Sequence, residues 1–103
     1  MIDMYQGDIV RINGFGKRHF VVVSKNAFIK AAGVIHVCPM MDSIPEGPLH
    51  IAVTGRNSVS GVVVCEQLKL IDPSARGCSR IDSLQYGDIM NISDAIQGVF
   101  EYG

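Results

Sequence analysis

The sequence predicts an α+β fold, in which five to seven short strands form a small twisted antiparallel sheet or half-barrel and one amphipathic helix packs against it. Two observations predict this arrangement. Short β-branched and apolar runs, separated by Gly, Pro and Asn turns, fill the chain up to Asp82. Beyond Asp82, apolar residues recur at steps of three and four, which is the period of a helix. A length of 103 residues fits one domain, so residues 1–103 are assigned to a single unit.

The first half of the chain predicts a hairpin, a short helix or turn and a third strand. The segments are GDIVRI (7–12), RHFVVVS (18–24), NAFIKAA (26–32) and VIHVCPMM (34–41). The Asn-Gly-Phe-Gly turn at 13–16 joins the first two strands into an antiparallel hairpin. The continuous valine run 21–23 indicates a strand covered on both faces. Because proline has no N–H, Pro39 indicates that the third strand ends near an edge or a bulge.

The second half predicts two further strands, LHIAVTG (49–55) and GVVVCEQLKLI (61–71), and a possible short one, SRI (79–81). The helix is expected to begin at Asp82, because Gln85 lies three residues further on and completes a capping-box pattern. One apolar stripe then runs along it: Leu84, Ile89, Ile92, Ile96, Val99 and Phe100.

Charge is unevenly distributed, although the net charge is only −1. Between Asp8 and Asp42 there is no acid and there are five bases: Arg11, Lys17, Arg18, Lys25 and Lys30. After Arg80 there is no Lys or Arg, and the segment is acidic. This pattern is compatible with one basic face for a polyanion and one acidic face elsewhere, and also with a solvated mixed surface.

No apolar run approaches the roughly 20 residues of a membrane span, and the N-terminus lacks a basic-then-apolar export pattern. We therefore expect a cytoplasmic protein without a membrane partner. The cysteines Cys38, Cys65 and Cys78 are irregularly spaced and form no CxxC pair, which predicts structural thiols and neither disulfides nor a zinc site. No cofactor is expected. His36 is expected to be a core or edge residue, and His50 to be exposed and without a role.

Five pieces in order resemble the PemK/MazF/Kid toxin family: GDIV, R-x-x-V-V-V-S, V-C-P, CEQLKLIDPSARG (65–77) and a terminal helix containing Asp88-Ile-Met-Asn. The resemblance covers nearly the whole chain. It implies an SH3-like barrel or barrel-like sheet with a C-terminal helix, working as a homodimer. It also implies metal-independent, sequence-specific cleavage of single-stranded RNA and inhibition by a cognate antitoxin. CcdB-like proteins, which share the fold, poison DNA gyrase instead.

The resemblance places two catalytic candidates. Metal-free RNA cleavage uses the 2′-hydroxyl as nucleophile, so it needs a proton-transfer group and a cation that stabilises the charged phosphorane. Arg18 matches the arginine that opens the family's second strand, where a guanidinium suits a phosphate. Glu66 matches the acid before the family's glutamine, here Gln67. If Glu66 lies on a strand, it shares a face with Val64 and Leu68, and that apolar setting suits proton transfer. A structural hydrogen bond is the alternative role for Glu66.

Six further residues are candidates for binding nucleic acid: Lys17, His19, Asp42, Ser43, Gln67 and Phe15. His19 replaces the family's proline, and Phe15 at the hairpin tip could stack on a base. Two departures from the family stand out. Its Thr-Ser pair is Met41-Asp42 here, with Ser43 one position late, and its long first loop is reduced to 13–17.

Three functions therefore stay open from the sequence. The first is a toxin-type endoribonuclease. The second is a catalytically degenerate relative that binds nucleic acid or protein. The third is a CcdB-like gyrase poison, which would need an exposed apolar C-terminus such as Phe100 and Tyr102.

Overall fold

A computed structural model of the protein describes residues 3–101, so Tyr102 lies outside the described residues. The elements in chain order are β1 (Asp8–Ile12), β2 (His19–Val22), α1 (Asn26–Ala32), β3 (Ile35–Met41), β4 (His50–Thr54), β5 (Ser60–Val64), β6 (Lys69–Ile71), β7 (Cys78–Ser83) and α2 (Tyr86–Val99). Neither helix of the described chain is long and apolar enough to cross a membrane.

The α+β class and the antiparallel sheet are confirmed. The strands follow the order β4-β5-β3-β2-β1-β7, and β6 pairs with β3. The sheet does not close into a barrel, because within residues 3–101 no ladder joins the edge strands β4 and β7. One backbone hydrogen bond nevertheless links the segment after β4 to the end of β7, since Arg56 N donates to Ser83 O over 2.9 Å.

Side chains of the central strands alternate between two apolar cores, one on each face of the sheet. Ile9, Val21 and Cys38 pack in the core that also contains Ile92 of α2. Their strand neighbours, among them Phe20, pack in the other core together with Ile29 of α1. The prediction that the valine run would be covered on both faces is thus confirmed for Val21 and Val22.

The short helix α1 is confirmed at its predicted position. It ends at Gly33, which adopts φ 74° and donates its N–H to Ile29 O over 2.9 Å. This left-handed C-cap favours glycine, because a Cβ would be strained there.

The prediction of one strand over 61–71 is wrong, since β5 ends at Val64 and β6 begins at Lys69. Both segments pair antiparallel with β3: Val63 lies opposite Met40, and Lys69 lies opposite Val37. Between these pairs β3 has two residues, 38–39, whereas the facing segment has five, 64–68. The excess leaves the sheet as a turn over 65–68 that carries Glu66 and Gln67.

Pro39 sits inside β3 rather than at its end. It lies opposite Phe20 of β2, in the short gap where β3 changes partner from β6 to β5 on its other side. A residue without an N–H is tolerated where the ladder is interrupted.

The predicted start of the C-terminal helix is also wrong. Asp82 belongs to β7, and α2 begins at Tyr86 with Gln85 as an N-cap that makes no side-chain bond. The apolar stripe is buried only in part. Ile92 is 2% exposed, whereas Phe100 at the end of the stripe is 72% exposed.

Candidate functional site

Five of the predicted site residues meet at one end of the β2–β3 ladder. His19 lies opposite Met40, so Lys17 and Arg18 precede the same end at which Asp42 and Ser43 follow β3. His19 is half-buried, and the other four are exposed. Within the described chain, no side-chain hydrogen bond or ion pair involves Arg18. The Arg18 guanidinium is therefore available to an anion at this end of the sheet, which we call the ladder end (Lys17, Arg18, His19, Asp42, Ser43).

The predicted stacking residue, Phe15, lies in the β1–β2 turn and is half-buried. Its ring meets Phe20 edge-on, with centroids 5.3 Å apart and planes at 71°. The guanidinium carbon of Arg76 lies 5.1 Å from the centroid of Phe15, within the range of a cation–π contact. Sequence reasoning gave Arg76 no role. Phe15 and Arg76 are far apart in the sequence. Only the folded β6–β7 connection brings them into contact, so no local pattern indicates it.

The five basic residues of the acid-free segment do not form one face. Arg11 lies opposite His19, near Lys17 and Arg18. Lys25 and Lys30 belong to the cap and last turn of α1, which follows the opposite end of β2. The positive charge at the ladder end therefore comes from part of the basic segment. Arg76, from a distant part of the chain, adds a charge beside Phe15 in the neighbouring β1–β2 turn.

Glu66 does not occupy the apolar strand setting that the sequence predicted. It lies in the 65–68 turn with its side chain 41% exposed. Gln67 follows it and is exposed, and its N–H donates to Val64 O over 3.2 Å. Both side chains lie at the surface, where a substrate could reach them.

His50, to which the sequence analysis gave no role, contacts Glu66. Its Nε2 lies 3.2 Å and 3.1 Å from the two carboxylate oxygens of Glu66, and its Nδ1 lies 3.2 Å from Pro45 O. The alternation of residues 49–53 was read correctly, because Leu49, Ile51 and Val53 pack in one core. The alternation does not indicate that the outward-facing side chain of His50 contacts Glu66, which lies 16 residues further along the chain.

Arg18 and Glu66 lie on opposite sides of β3. β2 pairs with one edge of β3, whereas β5 and β6 pair with the other. The backbones of Arg18 and Glu66 are therefore separated by at least two strand spacings, roughly 10 Å. Within residues 3–101 no ion pair joins Arg18 to Glu66, so a substrate would have to span the distance between them.

An open groove of about 540 Å³ lies between α2, β4 and the end of the β3–β4 connection. Its charged lining consists of Glu46, His50 and Asp94. Two acids beside a histidine disfavour a phosphate, so this groove is a poor site for the RNA backbone. No group of three His, Cys, Asp or Glu side chains in the described residues could hold a metal ion.

The chain matches the family described as PemK-like, MazF-like toxin of type II toxin–antitoxin system over residues 5–100. No curated protein matches it significantly. The fold resembles a MazE–MazF structure from Deinococcus radiodurans, with 20% identity, a TM-score of 0.81 and coverage of 93% of this chain and 94% of that one. A mycobacterial endoribonuclease in complex with its cognate antitoxin gives 14% identity, a TM-score of 0.80 and coverages of 97% and 99%. The Mycobacterium tuberculosis toxin MazF-mt6 gives 17% identity and a TM-score of 0.72, with coverage of 93% of this chain and 98% of that one. Because the family match spans nearly all of its length, the chain belongs to the PemK-like, MazF-like toxins.

Proposed function

We propose that the protein is a toxin-type endoribonuclease that cuts cytoplasmic single-stranded RNA at specific sequences without a metal ion. The observation that carries the proposal is family membership over residues 5–100, together with an exposed Arg18 that has no side-chain partner in the described chain. The alternative of a gyrase poison draws support only from the exposure of Phe100.

The proposed reaction is an internal displacement at phosphorus. The 2′-oxygen loses its proton and attacks the adjacent phosphorus, the bond to the 5′-oxygen breaks, and that oxygen takes up a proton. The products are a 2′,3′-cyclic phosphate and a free 5′-hydroxyl. Arg18 would stabilise the charged phosphorane, since a guanidinium fork matches phosphate oxygens. Glu66, exposed in its turn, would transfer the proton.

The remaining candidates would bind and orient the RNA. Lys17 supplies a second positive charge at the ladder end, and the neighbouring His19 and Ser43 supply polar groups. Gln67, beside Glu66, offers an amide to a base edge. Phe15, with Arg76 above its ring, offers a flat cationic surface on which a base can stack.

A cognate antitoxin and a second copy of the chain are the proposed protein partners. A solved structure of similar fold is an endoribonuclease bound to its cognate antitoxin, which supports the first proposal. Tyr86 and Met90 are 72% and 47% exposed and lie one helical turn apart on α2, which supports an apolar contact with a partner.

The test is incubation of the purified chain with a long RNA of mixed sequence in the presence of a chelator. We expect discrete fragments with 2′,3′-cyclic ends. Arg18→Ala should slow cleavage by roughly 10²- to 10³-fold, the usual effect of removing one charge-stabilising donor. Lys30→Ala, which removes a positive charge from α1 away from the ladder end, serves as the matched control and should cleave normally.

Absence of cleavage over a broad set of RNAs would contradict the nuclease. The pair Met41-Asp42 favours the second candidate, a binding module, because a methionine cannot donate to a phosphate and an aspartate repels it. RNA binding without cleavage, weakening steeply as salt rises, would establish that alternative.

A further inference from the structure

His50 joins two surface segments that belong to the proposed site. Through Nδ1 it contacts the carbonyl oxygen of Pro45, in the connection that carries Asp42 and Ser43. Through Nε2 it contacts the carboxylate of Glu66 in the 65–68 turn. Within residues 3–101, no other side chain hydrogen-bonds to both segments. A backbone hydrogen bond of 2.9 Å from Cys65 N–H to Leu49 O already joins the ends of the two segments that lie nearest the β4–β5 ladder. The side chain of His50 therefore sets how Pro45 and Glu66, which lie beyond that bond, are placed relative to each other.

The chemistry of the two partners determines the protonation of the ring. A carbonyl oxygen and an ionised carboxylate only accept hydrogen bonds. Both ring nitrogens must therefore carry a proton for both contacts to be hydrogen bonds, and only the imidazolium has two. A neutral ring can keep one contact and must give up the other. Loss of one proton consequently releases either the connection at Pro45 or the Glu66 carboxylate.

The charged groups that face the ring from the surrounding elements are all acidic. Glu66 belongs to the β5–β6 turn, Glu46 to the β3–β4 connection and Asp94 to α2. The backbone around His50 is itself well ordered by hydrogen bonds, since His50 and Gly47 exchange two N–H···O bonds of 3.1 Å. The ring therefore starts from a fixed position, and what changes with pH is the number of contacts it can make.

We propose that protonated His50 is a positioning residue that holds Pro45 of the β3–β4 connection and the Glu66 carboxylate in one arrangement, and that it releases one of them when the ring loses a proton. The proposal rests on the proposed function in one respect, namely that Glu66 acts on RNA. The two contacts of His50 are a property of the fold, and their pH dependence can be measured without RNA.

The first test is hydrogen exchange at segments 42–49 and 65–68, expressed as protection factors so that the intrinsic pH dependence cancels. As pH rises from about 5 to 8, the range in which imidazoles change charge, we expect protection to fall in the wild type. The expected fall is about tenfold, which corresponds to loss of one charge-assisted hydrogen bond. Helix α2 should keep its protection over the same range.

His50→Gln places one amide group there, whose donors do not change with pH, and should remove the pH dependence. His36→Gln is the matched control. His36 is a half-buried histidine of β3 whose ring lies 5.1 Å from that of Phe28 and makes neither of these contacts. This variant should keep the wild-type pH dependence. Glu66→Gln removes the carboxylate that His50 contacts, so this variant should lose the pH dependence at 65–68.

A wild-type protein whose two segments show equal protection at both ends of this pH range would overturn the proposal. So would a pH dependence that survives in His50→Gln or disappears in His36→Gln. If the chain cleaves RNA, His50→Gln should flatten the alkaline side of the cleavage profile. If it does not cleave, the proposed function fails, while the exchange result still decides whether His50 positions Pro45 and Glu66 in a pH-dependent way.

Discussion

The two aspartates Asp82 and Asp8 are both buried, but their pKa values are shifted in opposite directions. Asp82 is 3% exposed, and its carboxylate accepts N–H groups from Asn57, Val59 and Ser83 over 2.7–3.0 Å. Burial raises the pKa of Asp82, but these backbone donors favour the charged form more strongly and hold the pKa below its ordinary value of 3.8. Burial raises the pKa of Asp8 above 3.8, and its bonds to Tyr5 and Arg80 offset this only in part.

These two shifts couple to stability with opposite signs. Below its ordinary pKa of 3.8, Asp82 takes up a proton in the unfolded chain before it does so in the folded one. The stability from Asp82 is therefore present above pH 3.8 and is lost as pH falls through its lowered pKa. Asp8 behaves in the opposite way. Its contribution is largest below pH 3.8 and declines as pH rises through its raised pKa.

We expect Asp82→Asn to destabilise the protein, because it weakens the anchor of the turn between β4 and β5. The loss at neutral pH should be about 1.5–3 kcal/mol, the contribution of hydrogen bonds to a charged group. The decline of stability below pH 3.8 should also become shallower. Urea unfolding over a pH series measures both effects. Asp94→Asn, at an exposed position of α2, should stay within about 0.5 kcal/mol of the wild type, and an equal loss in both variants would refute the role of Asp82.

The sequence could not reveal this role of Asp82. An aspartate followed three residues later by a glutamine fits a helix N-cap, and the pattern is local. The competing donors come from the turn at 55–59, which only the tertiary fold brings close. Gly55 permits the approach, because a Cβ there would overlap the Asp82 carboxylate. The His50–Glu66 contact was hidden for the same reason. By contrast, the gathering of Arg18 and Asp42 follows from the antiparallel pairing of β2 with β3, which agrees with the antiparallel sheet that the sequence predicted.

Among the elements, the strands and α1 were predictable from local pattern, whereas the break between β5 and β6 was not. The run from Gly61 to Ile71 is mostly apolar, contains three consecutive valines and has the composition of one strand. The break arises because its two halves pair with different parts of β3 and the intervening residues 64–68 exceed the space available. Register, rather than propensity, thus produces the turn that exposes Glu66.

Helix α2 is attached to the sheet through a narrow apolar face. Ile92→Ala removes a side chain that is 2% exposed and packs with Ile9 and Val21, so we expect a loss of about 2–5 kcal/mol. In the unpartnered chain, Met90→Ala on the open face should change stability by no more than about 0.5 kcal/mol. Thermal and denaturant unfolding provide the measurement. Similar losses at both positions would mean that the open face of α2 is buried in solution by a partner.

At the scale of the whole molecule, two cores on opposite faces share the same central strands. Cys38 and Cys65 lie in the core under α2, whereas Cys78 packs at the edge of the other and is half-buried. The structural role predicted for Cys38 and Cys65 is confirmed by their burial. Burial raises the pKa of Cys38 to about 12 and that of Cys65 to about 11, and it raises the pKa of Cys78 as well.

These differences make the three thiols separate reporters of local and global opening. A thiol reacts as the thiolate and must be reached by the reagent, so Cys38 and Cys65 should react only when the core opens. We expect a soluble disulfide reagent in native buffer to modify Cys78 first, and the other two at a rate that tracks the unfolded fraction as denaturant is raised. Cys78→Ser should abolish the early phase and leave the later one unchanged. Equal native-state rates for all three thiols would show that the sheet and α2 do not unfold as one cooperative unit.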